Sequence, residues 1–118
     1  MFNIFRSTQP FITGSSQYGN YRTENSDVDM VVLFEDENEY NNLVFAFKES
    51  VERIWKLADS RLYSNNIFPP LRFGQLNIIP VKNRDEYFKW KKATSLCKKI
   101  QPTSKNQAIQ IFKNLGIS

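Results

Sequence analysis

The sequence predicts a small α/β (α+β) domain, a mixed sheet flanked by helices, and three observations carry that expectation. Two apolar runs rich in β-branched residues, Val28 to Phe34 and Leu76 to Val81, read as strands. Long stretches between and after them place apolar residues at helical spacing. At 118 residues, 41% hydrophobic and 14% aromatic, the chain suits one domain, residues 1–118, with enough large side chains for a core.

Pro10 to Thr13 is a short apolar run that enters a tight turn at Gly14. Residues 15–26 are rich in Ser, Gly, Asn and Thr and read as a loop, with room for one helical turn from Ser15-Ser16. After the strand Val28–Phe34, the acidic Glu35-Asp36-Glu37 leads into a predicted helix from about Glu39 to Ala58. There Leu43, Phe47, Val51, Ile54 and Leu57 recur on one face. Residues 59–70 look irregular, down to Pro69-Pro70. Leu76 to Val81 is the next strand, and Pro80 suggests an edge position, because proline cannot donate to a ladder. A helix from about Asp85 to Ile100 turns Trp90, Ala93, Cys97 and Ile100 inward, and Pro102 stops it. Thr103 or Ser104 caps a last helix carrying Ile109, Phe112 and Leu115, closed by Gly116. Trp55 and Trp90 both fall within these helical patterns and are assigned to the core.

Composition removes several chemistries. The chain has no His, so neither a Ser-His-Asp nor a Cys-His nucleophile can exist, and acid–base work would fall to carboxylates, Lys or metal-bound water. With Cys97 alone, no internal disulfide forms and no zinc site of paired Cys or Cys/His type can be built. Cys97 reads as a small buried hydrophobe, and a reducing, cytoplasmic setting is expected. Met1 to Arg6 is too short and polar for a signal peptide, and no apolar run reaches membrane-spanning length, so no membrane partner is expected. Charge is divided unevenly. Residues 1–81 carry 7 Lys+Arg against 10 Asp+Glu, while residues 82–118 carry 9 against 2. A basic third beside an acidic, metal-capable part can meet phosphates, or Lys91, Lys92, Lys98 and Lys99 can simply solvate a helix face.

The stretch that carries chemistry is Thr13-Gly14-Ser15-Ser16-Gln17-Tyr18-Gly19, followed by Ser26-Asp27-Val28-Asp29. Asp27 and Asp29 stand two apart on a strand, so both carboxylates leave the same face. Carboxylates held that close repel unless a cation lies between them. Mg²⁺ (or Mn²⁺) typically binds one or two protein carboxylates plus substrate phosphates. Gly14 lets the backbone approach a ligand closely, and Ser15 with the amides that follow can donate to phosphate oxygens. Alone, Asp-x-Asp is often only a solvated pair and Gly-Ser only a turn. Together, at the mouth of an apolar strand, they read as a cradle for a metal-bound triphosphate.

Gly14-Ser15, eleven residues, then Asp27-x-Asp29 resembles the signature of the DNA polymerase β-like nucleotidyltransferases, with Tyr18-Gly19 and Ser26 matching its usual accessories. Arg72 to Ile79 and Tyr87 to Thr94 resemble small phage and bacterial members, so the likeness spans about residues 10–95. It implies the nucleotidyltransferase fold, an NTP substrate and catalytic Asp27 and Asp29 holding the metal. Gly14, Ser15, Ser16, Tyr18, Gly19 and Ser26 would then lie on the nucleotide. Arg22, Arg72 and Lys82 are further phosphate candidates, or else solvated charges. Tyr18 either packs against the nucleotide or pins the loop.

One residue departs from the pattern. Active relatives place a third carboxylate on the strand after the long helix, and here that position is Asn77. An amide can ligate a metal through oxygen but cannot act as a base; loss of a general base commonly costs about 10²–10⁴-fold in rate. The resemblance therefore leaves distinct roles open. The first is transfer of a nucleoside monophosphate to a hydroxyl of RNA, protein or a small molecule. The second is a degenerate domain that binds nucleotide, RNA or protein. A third is modification of a partner protein, as in minimal nucleotidyltransferase antitoxins.

Overall fold

The computed structural model describes residues 8–18, 27–49, 52–53 and 68–117, with the backbone alone at 52–53. In chain order the elements are β1 (Phe11–Thr13), α1 (Ser15–Tyr18), β2 (Val28–Leu33), α2 (Glu37–Ala46), β3 (Glu52–Arg53), β4 (Leu71–Phe73), β5 (Leu76–Val81), α3 (Arg84–Ile100) and α4 (Lys105–Asn114). The strands form one mixed sheet in the order β1-β2-β5-β4-β3. β2 and β5 run parallel at its centre, and every other pairing is antiparallel. This is the α+β architecture that the strand and helix patterns predict.

Alternation along the central strands sends side chains to two cores. Val31, Ile79 and Val81 face α3 and α4, where they join Tyr87, Trp90, Ala93, Cys97, Ala108 and Phe112. Met30, Val32, Ile78 and Leu71 face the opposite side, where Phe34, Tyr40 and Phe68 cluster. Helix ends follow local chemistry. Asp36 and Glu39 form a reciprocal capping box at the start of α2. The side chains of Asn83 and Ser104 accept from backbone amides at the starts of α3 and α4.

Four expectations are corrected. The predicted helix to Ala58 ends at Ala46, and Glu52–Arg53 instead pair with β4. Phe47, expected on the inner face, caps the helix and sets its half-exposed ring edge-on against Phe73 of β4, so sheet pairing overrides helical periodicity. Val51, Ile54, Leu57 and Trp55 lie outside the described residues. Pro80 is not on an edge strand: β5 is central. β4 pairs only with Leu76 to Ile78, however, so no ladder bond on that side is asked of Pro80. Ile100, expected inward, is 48% exposed, because the chain turns there through a left-handed Gln101. Trp90 and Cys97 are buried as expected. Burial pushes the Cys97 thiol up to about 11, against a smaller opposing hydrogen bond with Tyr18. Among the described residues no helix is long and apolar enough to cross a membrane.

α3 sets the position of everything that follows it. It starts just past the C-terminal end of β5 and its 17 residues run about 25 Å back along the sheet. Its far end and the start of α4 therefore reach the end of the sheet where β2 and β5 begin.

Candidate active site

One register row crosses that end of the sheet. Thr13 pairs with Asp29, Asp29 with Asn77, and Asn77 with Arg72. Directly opposed residues share a face, so the four side chains line one surface, on the side of the sheet that α3 and α4 cover. Asp27, two residues before Asp29, projects to the same side.

The row is tied together by polar contacts. Asn77 Nδ2 donates to Asp29 Oδ1 at 3.2 Å and to Asp27 Oδ2 at 3.4 Å. An amide between two carboxylates must present its N–H groups, which supply the positive pole that a cation would otherwise provide. Asn77 is buried, and its Oδ1 is enclosed with no hydrogen-bond partner among the described residues. Arg72 grips Asp27 with both terminal nitrogens, at 3.2 and 3.0 Å, while its Nε donates to the Gly74 carbonyl at 2.7 Å. Asp29 is driven above the usual carboxylate range, first by burial and then by the charge of Asp27. The Asn77 hydrogen bond and the Lys105 charge oppose that rise.

Gly14 is needed at its place for two reasons. Its φ of +79° is a conformation L side chains rarely adopt, and an added Cβ would stand 2.5 Å from Asp29 Oδ2. The turn is thus pressed onto the carboxylate, and α1 starts there; the first amides of a helix have no partner within it. Gln17 N donates to Gly14 O at 2.9 Å and Ser16 Oγ to Thr13 O at 3.4 Å, closing the turn. Gly14→Ala is expected to cost about 1–3 kcal/mol of stability through backbone strain, and more in nucleotide affinity. Thermal unfolding and calorimetric titration of the variant check both.

Behind the turn, Thr94 Oγ1 donates to Trp90 O at 2.8 Å, so the 2.7 Å bond between Thr13 and Thr94 must have Thr13 as its donor. That buried chain anchors the strand just before Gly14. Thr94→Val leaves the Thr13 hydroxyl without its acceptor and is expected to cost about 1–3 kcal/mol, read by denaturant unfolding.

The structure brings Gly14, Ser15, Ser16, Asp27, Asp29, Arg72 and Asn77 to one end of the sheet. Tyr18 is not turned to that surface. It is buried against Phe112, with ring centroids 6.4 Å apart, and pins α1 to the helical layer. Lys82 is left at the opposite end of β5, five residues or about 16 Å from Asn77, where its amide donates toward Glu86. Gly19, Arg22 and Ser26 lie outside the described residues. Lys105, which the sequence reading did not single out, is the basic residue whose charge is felt at Asp29. Its signal was present: Ser104 caps a helix whose start α3 carries back to this end of the sheet.

The donor set fits a particular metal chemistry. Among the described residues no group of three or more Asp, Glu, His or Cys could hold a metal ion. Two carboxylates beside a turn with helix-start amides suit Mg²⁺ or Mn²⁺ arriving with a triphosphate, where phosphate oxygens complete the shell.

A mixed sheet with a Gly-Ser turn pressed against paired aspartates sets out in space the pattern by which the sequence resembles the nucleotidyltransferases. A family model described as nucleotidyltransferase domain matches residues 4–113, and the chain belongs to that family. Searches of curated protein sequences and of solved structures return no match.

Proposed function

We propose that the chain transfers a nucleoside monophosphate from a Mg²⁺- or Mn²⁺-bound NTP to a hydroxyl of RNA, protein or a small molecule, the hydroxyl oxygen bonding to the α-phosphorus as the α–β bond breaks and pyrophosphate leaves. The observation that supports this most is the close approach of Gly14 to Asp29, which stands in one row with Asn77 and on the same side as Asp27. A turn held that tightly brings phosphate-binding backbone beside the carboxylates. Asp27 and Asp29 hold the metal, which supplies charge neutralisation at the transferring phosphoryl group. Ser15, Ser16 and their amides hold and orient the triphosphate, and Lys105 adds positive charge nearby. Gly19, Arg22 and Ser26 belong to the nucleotide side by resemblance. Asn77 fixes both carboxylates but takes no proton, so the acceptor hydroxyl loses its proton to solvent or to a group of the acceptor. Incubation with labelled NTP, Mg²⁺ or Mn²⁺, and pools of RNA and protein tests the reading. Transfer of label supports it, and none under any combination ends it.

A second reading, a nucleotide-binding domain without efficient transfer, is favoured by one contact: Asn77 donates to both aspartates where a third carboxylate would repel them. Calorimetry with the Asp27→Ala, Asp29→Ala double variant separates modes of binding. Affinity that uses the metal site is lost, whereas metal-independent binding persists.

A further inference from the structure

We infer that Arg72 is the resident counter-cation of Asp27, a latch that an incoming divalent cation must displace from that carboxylate. The inference rests on the reading that Asp27 and Asp29 take a metal-bound triphosphate.

The two aspartates are held differently. Asp29 lies against the Gly14 turn and accepts from Asn77. Asp27 has both oxygens engaged by the Arg72 fork, and its Oδ2 also accepts from Asn77. A two-pronged guanidinium–carboxylate pair occupies the carboxylate edge with fixed geometry and full positive charge. The fork is itself anchored. Arg72 Nε donates to Gly74 O in the β4–β5 turn, and the neighbouring Gln75 carbonyl accepts from Val28 N, next to Asp27. Hairpin, guanidinium and carboxylate thus form a closed unit. The Arg72 and Asp27 side chains are each about one-third exposed, so exchanging the guanidinium for a cation opens no core. A cation approaching Asp27 therefore meets a positive charge already seated there.

The test is Mn²⁺ binding by the whole chain, followed by electron paramagnetic resonance. Three variants are compared with wild type: Arg72→Gln, Arg72→Lys and Arg84→Gln. Arg84→Gln removes the same charge from a pair with Glu35 at the other end of β5. Displacing a partly exposed pair costs on the order of 1 kcal/mol, so Arg72→Gln is expected to bind Mn²⁺ roughly fivefold tighter. Arg84→Gln should match wild type. A damaged fold would bind less cation, so a gain is not a structural side effect. Should Arg72→Gln fail to fold, Arg72→Lys keeps the charge, loses the fork and is expected to gain about twofold. Unchanged or weaker binding in the Arg72 variants, or an equal gain in Arg84→Gln, overturns the latch. If wild type binds Mn²⁺ with ATP and the Arg72 variants gain nothing, the latch alone falls. If no form binds Mn²⁺ with or without ATP, the metal reading falls with it.

Discussion

Asn77→Asp is expected to transfer nucleotide about 10²–10⁴-fold faster than the natural chain, the range a positioned general base contributes. The position supports the expectation. Asn77 stands directly opposite Asp29 on the parallel neighbour strand, and its side-chain nitrogen already reaches both aspartates. A carboxylate there needs no backbone movement to complete a three-acid site. The same change carries a cost in the metal-free protein. It converts two donated hydrogen bonds into like-charge contacts beside the half-buried Asp29, with the Arg72 guanidinium on Asp27 and the Lys105 charge felt at Asp29 to offset them. Metal-free Asn77→Asp should therefore unfold at a lower temperature than the natural chain, and Mn²⁺ with NTP should restore more stability to it than to wild type. Initial rates of label transfer, with melting curves with and without Mn-NTP, decide the matter. A variant that folds, binds Mn-NTP and transfers no faster would mean that Asn77 is not what limits the chemistry.

Much of this site was legible in the sequence because its parts are local. The spacing of Asp27 and Asp29 fixes a shared face whatever the rest of the chain does, and the position of Gly14 marks a turn at any reading. β2, β5, α3 and α4 carry their own periodicity and caps. The parts that were not legible depend on tertiary pairing. β4 is only three residues long, and its hairpin with β5 turns on Gly74-Gln75, a two-residue signal beginning with a glycine at φ +60°. Without that hairpin, Arg72 reads as a loose flanking charge rather than the partner of Asp27. The early end of α2 is of the same kind: Leu43, Phe47 and Val51 keep helical spacing, but Phe47 packs on Phe73 and the chain returns to the sheet. Lys105 could be placed only once the length and direction of α3 were known. Tyr18 shows the converse: a residue in the motif whose buried ring serves α1 and the helical layer.

Asp29→Asn is expected to bind Mg-NTP roughly 10–100-fold more weakly while unfolding at a higher temperature than the natural protein at neutral pH. The loss follows from removing one of the two carboxylates proposed to hold the metal, a charged contact worth about 1.5–3 kcal/mol. The gain follows from the electrostatics of the carboxylate pair itself. Burial, then the charge of Asp27, raises Asp29 above the usual carboxylate range, and the opposing pulls of Asn77 and Lys105 do not cancel that rise. A carboxyl raised on folding binds more protons in the native than in the unfolded state across the window above its ordinary value. Its contribution to stability therefore falls as pH rises through that window, and the whole penalty is present above the folded-state value. An amide at this position is never ionised and can still accept the Asn77 hydrogen bond through its oxygen. Removing such a functional strain commonly returns about 0.5–2 kcal/mol, a few degrees in melting temperature for a chain of this size. The pH dependence is the sharper reading. Wild type and Asp29→Asn should converge in stability at acid pH, where the carboxyl is neutral in both the folded and the unfolded state. They should separate progressively as pH rises toward neutrality. If Asp29→Asn is instead the less stable at neutral pH, the attraction of Lys105 and Asn77 outweighs burial. The ionised carboxylate would then belong to the fold's stability rather than being held against it for a cation.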